Sequence, residues 1–311
     1  MAFTVTHANT VSTSEYGKKF MNNVYDSRPF TKLLLGDHKA KVKGGTQITF
    51  PVEHKQVGSA ESRAWNTEVN YESVDTFTQA VLAWAHIDAQ VTISNEERLK
   101  NQAGPQQIVD VVKAKDAHLK NDIAEQIADQ VFATASATNK IIPLAVIIDS
   151  ADTYAGITVS AAPAWAGIED STTTPMTRAF LYGRVAAATF DDAGPSTHFT
   201  TRTLLAEYNA LLGGDERYHN TMKANAGFKT ITLYGDNVYA DSHVATGHWY
   251  GIDMDAVELR MMEGAEMKPT EWFDLKVRGF PGAMAKYVEA ALNLVFYRRR
   301  TSFKCSALTG T

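Results

Sequence analysis

Residues 106–132 constrain this chain more than any other stretch. Their apolar side chains fall at Ile108, Val112, Leu119, Ile123, Ile127 and Val131, in steps of four or seven. That spacing puts them on one face of a helix. Lys113, Lys120, Asp122, Glu125 and Asp129 take the opposite side, and Gly104-Pro105 stands where such a helix begins. The rod would be roughly 40 Å long, whereas a compact chain of 311 residues has a radius of gyration of about 20 Å. One helix therefore nearly spans the molecule, and everything else must pack along it. Two architectures meet that demand: an ordinary globule around an amphipathic helix, and a flat shell subunit with a spine.

The flanking segments add strands. Ile48, Phe50 and Val52 alternate after Gly44-Gly45, and Ile87, Ala89, Val91 and Ile93 alternate against Asp88, Gln90, Thr92 and Ser94. Between them lies a polar excursion with one tryptophan, Trp65, flanked by Arg63 and Glu68 and preceded by Lys55. Strand, long excursion, strand reads as an extended hairpin. A two-stranded ribbon is marginally stable alone, so it needs a surface to lie on, either its own body or a neighbour's. Ser94-Asn95-Glu96-Glu97 is a helix-start signature. Lys39, Lys41 and Lys43 alternate, which in an extended segment puts three ammonium groups on one face; a solvated face and a contact with an acidic neighbour or nucleic acid are both open.

Further along, residues 15–35 read as a short helix ended near Ser27 or Arg28 by Pro29. Residues 141–148 read as a buried strand, 176–190 and 204–212 as helices closed by Gly194-Pro195 and Gly213-Gly214, and 228–233, 237–240, 249–253 and 257–262 as strands. In residues 287–300, Val288, Ala290, Leu292, Leu294 and Phe296 share a face at period two, which predicts a long strand. Arg298 and Arg300 then face one way and Arg299 the other. A solvated strand end, an ion pair across a subunit boundary and a phosphate contact are the readings of that cluster.

Composition narrows the classes. The formal net charge is −5, the wrong sign for a strong nucleic-acid binder. The single cysteine, Cys305, precludes an intramolecular disulfide; beside Lys304 its thiol pKa is expected to fall. No run of about 18 apolar residues is present, and residues 1–14 are polar, unlike a signal peptide; they read as an arm. No phosphate-binding Gly-Lys-Ser loop, Gly-x-Ser-x-Gly elbow or His-Glu-x-x-His helix occurs. His243 and His248 flank a turn without a third ligand, short of what zinc needs. Acidic pairs such as Asp191-Asp192 sit at helix ends, where capping accounts for them. No catalytic, cofactor or metal site is expected.

The order of these pieces resembles the major capsid protein of tailed bacteriophages, the Hong Kong 97-type fold, from about Phe20 to Leu308. The hairpin leading through Asn95-Glu96-Glu97 into the long helix is similar to that family's extended loop and spine helix. Tyr154-Ala155-Gly156-Ile157, Trp165, Gly194-Pro195 and Thr200-Thr201 with Tyr208 and Leu211 follow a recurring pattern of phage capsid proteins, as do residues 233–238 through Asp241, Gly247 and Trp249-Tyr250.

The resemblance implies an α+β fold. Residues 1–35 would form the N-terminal arm and first helix, 36–94 the extended loop, 95–138 and 255–311 a peripheral domain, and 139–254 an axial domain. It implies an icosahedral virion shell of hexamers and pentamers around non-specifically held double-stranded DNA, assembled in the bacterial host cytoplasm. Portal, scaffolding and decoration proteins are further partners open to it, and no membrane is. Part of the family carries an N-terminal scaffolding segment; here the first helix is expected by about Glu15, so a separate scaffold or none is the expectation. The inter-subunit contact candidates are Lys55, Arg63, Trp65, Glu68, Arg298 and Arg300. An encapsulin-like compartment and, more remotely, a soluble enzyme or binding domain are the alternatives.

Overall fold

The computed structural model describes residues 27–58, 60–69, 71, 73–100, 111–212, 231–280 and 282–310. The expected helix before Ser27, the Gly104-Pro105 helix start, Gly213-Gly214 and residues 228–230 lie outside these. Helix α1 (Pro29–Gly36) begins at Pro29 itself. A proline in the first turn loses no hydrogen bond, so the expected breaker is a helix start. It buries Phe30 and Leu34.

Strand β1 (Lys39–Val42) follows, with Lys39, Lys41 and Lys43 all exposed and Lys41 paired to Glu266. Strands β2 (Ile48–Glu53) and β3 (Phe77–Leu82) form the antiparallel hairpin, Ile48 opposite Leu82 and Glu53 opposite Phe77. The hairpin's base is tied down: Ile48, Phe50, Val52, Ala80 and Leu82 enter the main core, and Trp84 Nε1 donates to the Gly45 carbonyl at 2.9 Å. Strand β4 (Ala85–Ile93) is not part of the hairpin; it turns away to pair elsewhere. The Ser94 signature is a complete capping box for α2 (Asn95–Lys100). Glu97 N–H donates to Ser94 Oγ at 3.1 Å and Ser94 N–H to Glu97 Oε2 at 2.9 Å.

The spine helix α3 (Val111–Val131) buries Leu119, Ile123, Ile127 and Val131 as the periodicity requires. Val112 is 41% exposed, so the buried stripe starts lower than expected, and Ile108 lies outside the described residues. The run 141–148 is not a strand. Pro143 caps a single helical turn, α4 (Leu144–Ile147), and Ile141, Leu144, Ile147 and Ile148 are all buried. Buried on every side, it carries no periodicity that separates strand from helix.

The next segment supplies β5 (Ile168–Asp170), β6 (Thr174–Pro175), α5 (Arg178–Ala188), β7 (Thr197–Thr200) and α6 (Arg202–Leu211). Thr177 and Thr201 cap the two helices through Phe180 N–H and Leu204 N–H. Asp191 and Asp192 are not caps. Both have positive φ (50° and 61°) in a two-residue turn closed by Phe190 and Ala193, a conformation that aspartate tolerates better than most residues.

Strands β8 (Ile231–Leu233), β9 (Asp236–Ala240) and β10 (Trp249–Ile252) precede β11 (Val257–Pro269). The last of these runs past Gly264, whose φ of +95° accompanies register shifts, so the glycine makes a bulge and not a stop. Then come β12 (Phe273–Asp274), β13 (Met284–Phe296), β14 (Phe303–Cys305) and β15 (Leu308–Thr309).

Two main sheets result. In the first, β13 is central. Its one edge pairs with β4 from Met284↔Ile93 to Leu292↔Ala85; its other edge pairs with β11 and β12, and β1 adds outside β11 in parallel. The second has the order β5-β14-β10-β7-β9-β8. Its inner strands β7, β10 and β14 are buried on both faces. Phe199, Tyr250 and Ile252 enter the main core, whereas Trp249, Phe303 and Val238 enter a second core under α5 and α6. The chain end thus returns to the second sheet through β14, although 255–311 was expected as one peripheral unit; β1 and β4, expected within the loop unit, belong to the first sheet.

Gly251 lies opposite Phe303, and a Cβ there would overlap the phenyl ring. Gly251→Ala should therefore destabilise the subunit by ~1–3 kcal/mol, read as a lowered urea midpoint in equilibrium unfolding.

Candidate assembly surface

Past Glu53 the hairpin leaves the core. His54 N–H donates to the Thr76 carbonyl at 3.0 Å, and the described residues from Lys55 to Ser73 form no strand. Lys55, Arg63, Trp65 and Glu68 are all exposed there, Trp65 at 99% and Tyr71 at 90%. Among the described residues Arg63 makes only a local bond, Nη1 to the Thr67 carbonyl at 2.7 Å. Trp65 is therefore not packed under its own loop. Two aromatic rings held in water on a ribbon without core support are the feature of this surface that a single chain does not explain.

The arginine cluster lies at the root of the same loop. Strand β13 ends at Phe296, so Arg298, Arg299 and Arg300 occupy the corner after it and not a strand end. Arg298 Nη2 reaches Asp253 Oδ2 at 3.5 Å within its own subunit, and Arg300 sits 4.1 Å from the centroid of the Phe190 ring. The residue with most structural consequence is the middle one, Arg299, which is fully buried. Its Nε donates to the Ile147 carbonyl at 2.5 Å and its Nη2 to those of Asp149 at 2.9 Å and Asp152 at 3.3 Å. The guanidinium also packs against the rings of Tyr154 and Trp165, at 5.5 and 5.9 Å. Tyr154 in turn donates its hydroxyl to the Leu294 carbonyl and accepts from Phe296 N–H, both at 3.0 Å. The Tyr154 and Trp165 pattern seen in the sequence is thus the seat of a buried arginine. The signal for Arg299 was present in the expectation that it faces away from its neighbours; its partners, backbone carbonyls far along the chain, leave no trace in composition.

A second electrostatic tie joins the spine to the second sheet. His243 Nδ1 lies 3.0 Å from Asp241 Oδ1 and its Nε2 lies 2.9 Å from Glu125 Oε1 on α3, while Arg28 reaches the other Glu125 oxygen at 2.9 Å. The bond to Asp241, only partly opposed by burial, and the bond to Glu125 hold the imidazole's pKa up at about 9. The lowered thiol pKa expected for Cys305 beside Lys304 is reversed in the structure. Burial and nearby Asp170 push it up to about 12. Alternation along β14 sends Lys304 the other way, to the Ala145 carbonyl at 2.7 Å and Glu169 at 2.9 Å. Among the described residues no helix is long and apolar enough to cross a membrane.

This architecture is the Hong Kong 97-type capsid fold. The chain is similar to a protein of the cyanophage A-1(L) capsid asymmetric unit (17% identity, TM-score 0.70, covering 93% of this chain and 95% of that one). It is similar to a chain of Mycobacterium phage Bobi (12%, 0.60, covering all of both). The SrpI encapsulin of Synechococcus elongatus PCC 7942 shares the fold as well (9%, 0.54, 99% and 96%). No family model and no curated protein matches the sequence.

Two outcomes follow from these side chains. Arg299→Met removes the donor to the buried Ile147 carbonyl and to the half-buried bonds at Asp149 and Asp152 and should cost roughly 1–3 kcal/mol, measured by equilibrium unfolding of the subunit. For His243, a folded pKa raised from 6.5 to about 9 gives a contribution that is whole below about pH 6.5 and lost as pH rises through about 9. The stability difference between wild type and His243→Gln should shrink across that window in thermal melts at stepped pH.

Proposed function

We propose that the chain is the major subunit of an icosahedral head shell of tailed-phage type, built from hexamers and pentamers and holding double-stranded DNA without sequence preference. The observation that carries this is the exposed loop with Trp65 and Tyr71 on a body whose fold matches a phage capsid protein over nearly the whole of both chains. In this reading the first sheet with α3 is the peripheral domain, the second sheet is the axial domain, and loop residues Lys55, Arg63, Trp65 and Glu68 reach a neighbouring subunit. The shell is part of the virion and assembles in the host cytoplasm, with portal, scaffolding and decoration proteins as additional partners. The net charge of −5 suits a container whose DNA must leave again, because every phosphate contact adds salt-dependent adhesion.

The encapsulin similarity supports a second reading, a shell around protein cargo. Negative-stain microscopy and nucleic-acid content of purified particles separate the two. Shells with nuclease-protected DNA from infected or induced cells are the expected result; shells containing protein only favour the compartment; a monomer under every assembly condition contradicts both. Trp65→Ala should lower particle yield while changing subunit stability by no more than about 0.5 kcal/mol, the usual range for an exposed site. An unfolded subunit with surviving particles unchanged would make Trp65 part of the core.

A further inference from the structure

A cavity of about 630 Å³ opens between the root of the loop and the corner after β13. Its wall carries Lys55, Arg298, Arg299 and Arg300, opposed by a single acid, Glu53, with Phe190 as an apolar side. Arg298 is shared with Asp253, but among the described residues Lys55, Arg299 and Arg300 make no ion pair. Arg299 is fully buried and its Nη1 has no acceptor; His54 Nδ1, on the same wall, is also buried without a partner. A buried guanidinium donor without an acceptor is rare in folded proteins, because leaving it unmade forfeits its desolvation. Arg299 lines the wall of a cationic cavity, where an anion would offset the charge shared with Lys55 and Arg300.

The same chain carries a complementary segment. Residues 57–75 hold Glu61, Glu68, Glu72 and Asp75 against one base, Arg63. Glu61 and Glu68 are exposed, so they do not fill the cavity of their own chain. We propose that the cavity is a carboxylate socket that receives Glu61 or Glu68 from the loop of a second copy. This rests on the shell reading and assigns that contact its chemistry. Socket and plug occupy different places on one chain, so the contact is head-to-tail, the type that closes into rings. A nucleic-acid phosphate has the same charge chemistry and is the other outcome of the test; the acidic composition of residues 57–75 in every copy is what favours the carboxylate.

The test uses full-length particles assembled from equal amounts of unlabelled and isotope-labelled protein. A carbodiimide joins a carboxylate to an amine in direct contact with loss of one water, and Lys55 places the amine at the socket. The expected product is a Lys55–Glu61 or Lys55–Glu68 peptide carrying both isotopes. Arg300→Glu should cut its yield about tenfold with the subunit's circular dichroism unchanged, and reversing Glu61 and Glu68 to lysine in the same chain should restore particle yield. Particles in which Lys55 joins only carboxylates of its own chain, or carboxylates outside 57–75, or none, overturn the socket while leaving the shell. Ultraviolet cross-linking of Lys55 or Arg300 peptides to nucleic acid assigns the socket to phosphate and overturns the carboxylate reading. Failure to form particles at all overturns the shell reading and the socket with it.

Discussion

Strand β13 is the constraint on which the rest of this structure depends. Ala290, Leu292, Leu294 and Phe296 are fully buried on one face, and Ala291 and Val295 are buried on the other. A strand covered on both faces must be paired at both edges, because no water reaches its amides. β4 and β11 meet that requirement. The one buried polar side chain, Asn293, is satisfied: it donates to the Ala83 carbonyl at 2.8 Å and accepts from Leu294 N–H at 2.8 Å and from Ile142 N–H at 3.3 Å. It thereby holds the end of the hairpin and the start of α4's segment against the same strand. Beyond β13 the chain drives Arg299 into the Tyr154–Trp165 seat, so the loop root, the first sheet and the entry to the second sheet meet at one corner.

The consequence is an uneven distribution of stability. The sheets and α3 share a continuous core, and the His243–Glu125–Arg28 cluster ties the spine to the second sheet. The described residues of the loop have neither a core nor a strand ladder beyond His54 and Thr76. Elements of low local stability are where association acts most strongly, since the ordering they lack is supplied by a partner. In a repeating assembly each such contact recurs at every equivalent boundary, so modest individual gains accumulate.

Much of this was legible in the chain because periodicity survives wherever one face of an element is buried. Leu119, Ile123, Ile127 and Val131 on α3, the β2 alternation and the run from Val288 to Phe296 all read correctly for that reason. Where burial is all round, as at Ile141–Ile148, the pattern vanishes and a helical turn passes for a strand. Where the deciding partner is distant, as with the carbonyls around Arg299 or Glu125 opposite His243, local sequence carries no record of it. Pairing of β4 with β13 and not with the hairpin has the same origin: both edges alternate, and only the fold chooses. The loop's exposure was legible as polarity.

In the shell reading, residues 57–75 gain their order from a second copy. Amide hydrogen exchange of this segment in the dissociated subunit and in assembled particles measures that directly. Exchange near the unstructured rate in the subunit and protection in the particle, with β13 protected in both, is the expected result. Equal protection of the loop in the two states would contradict it.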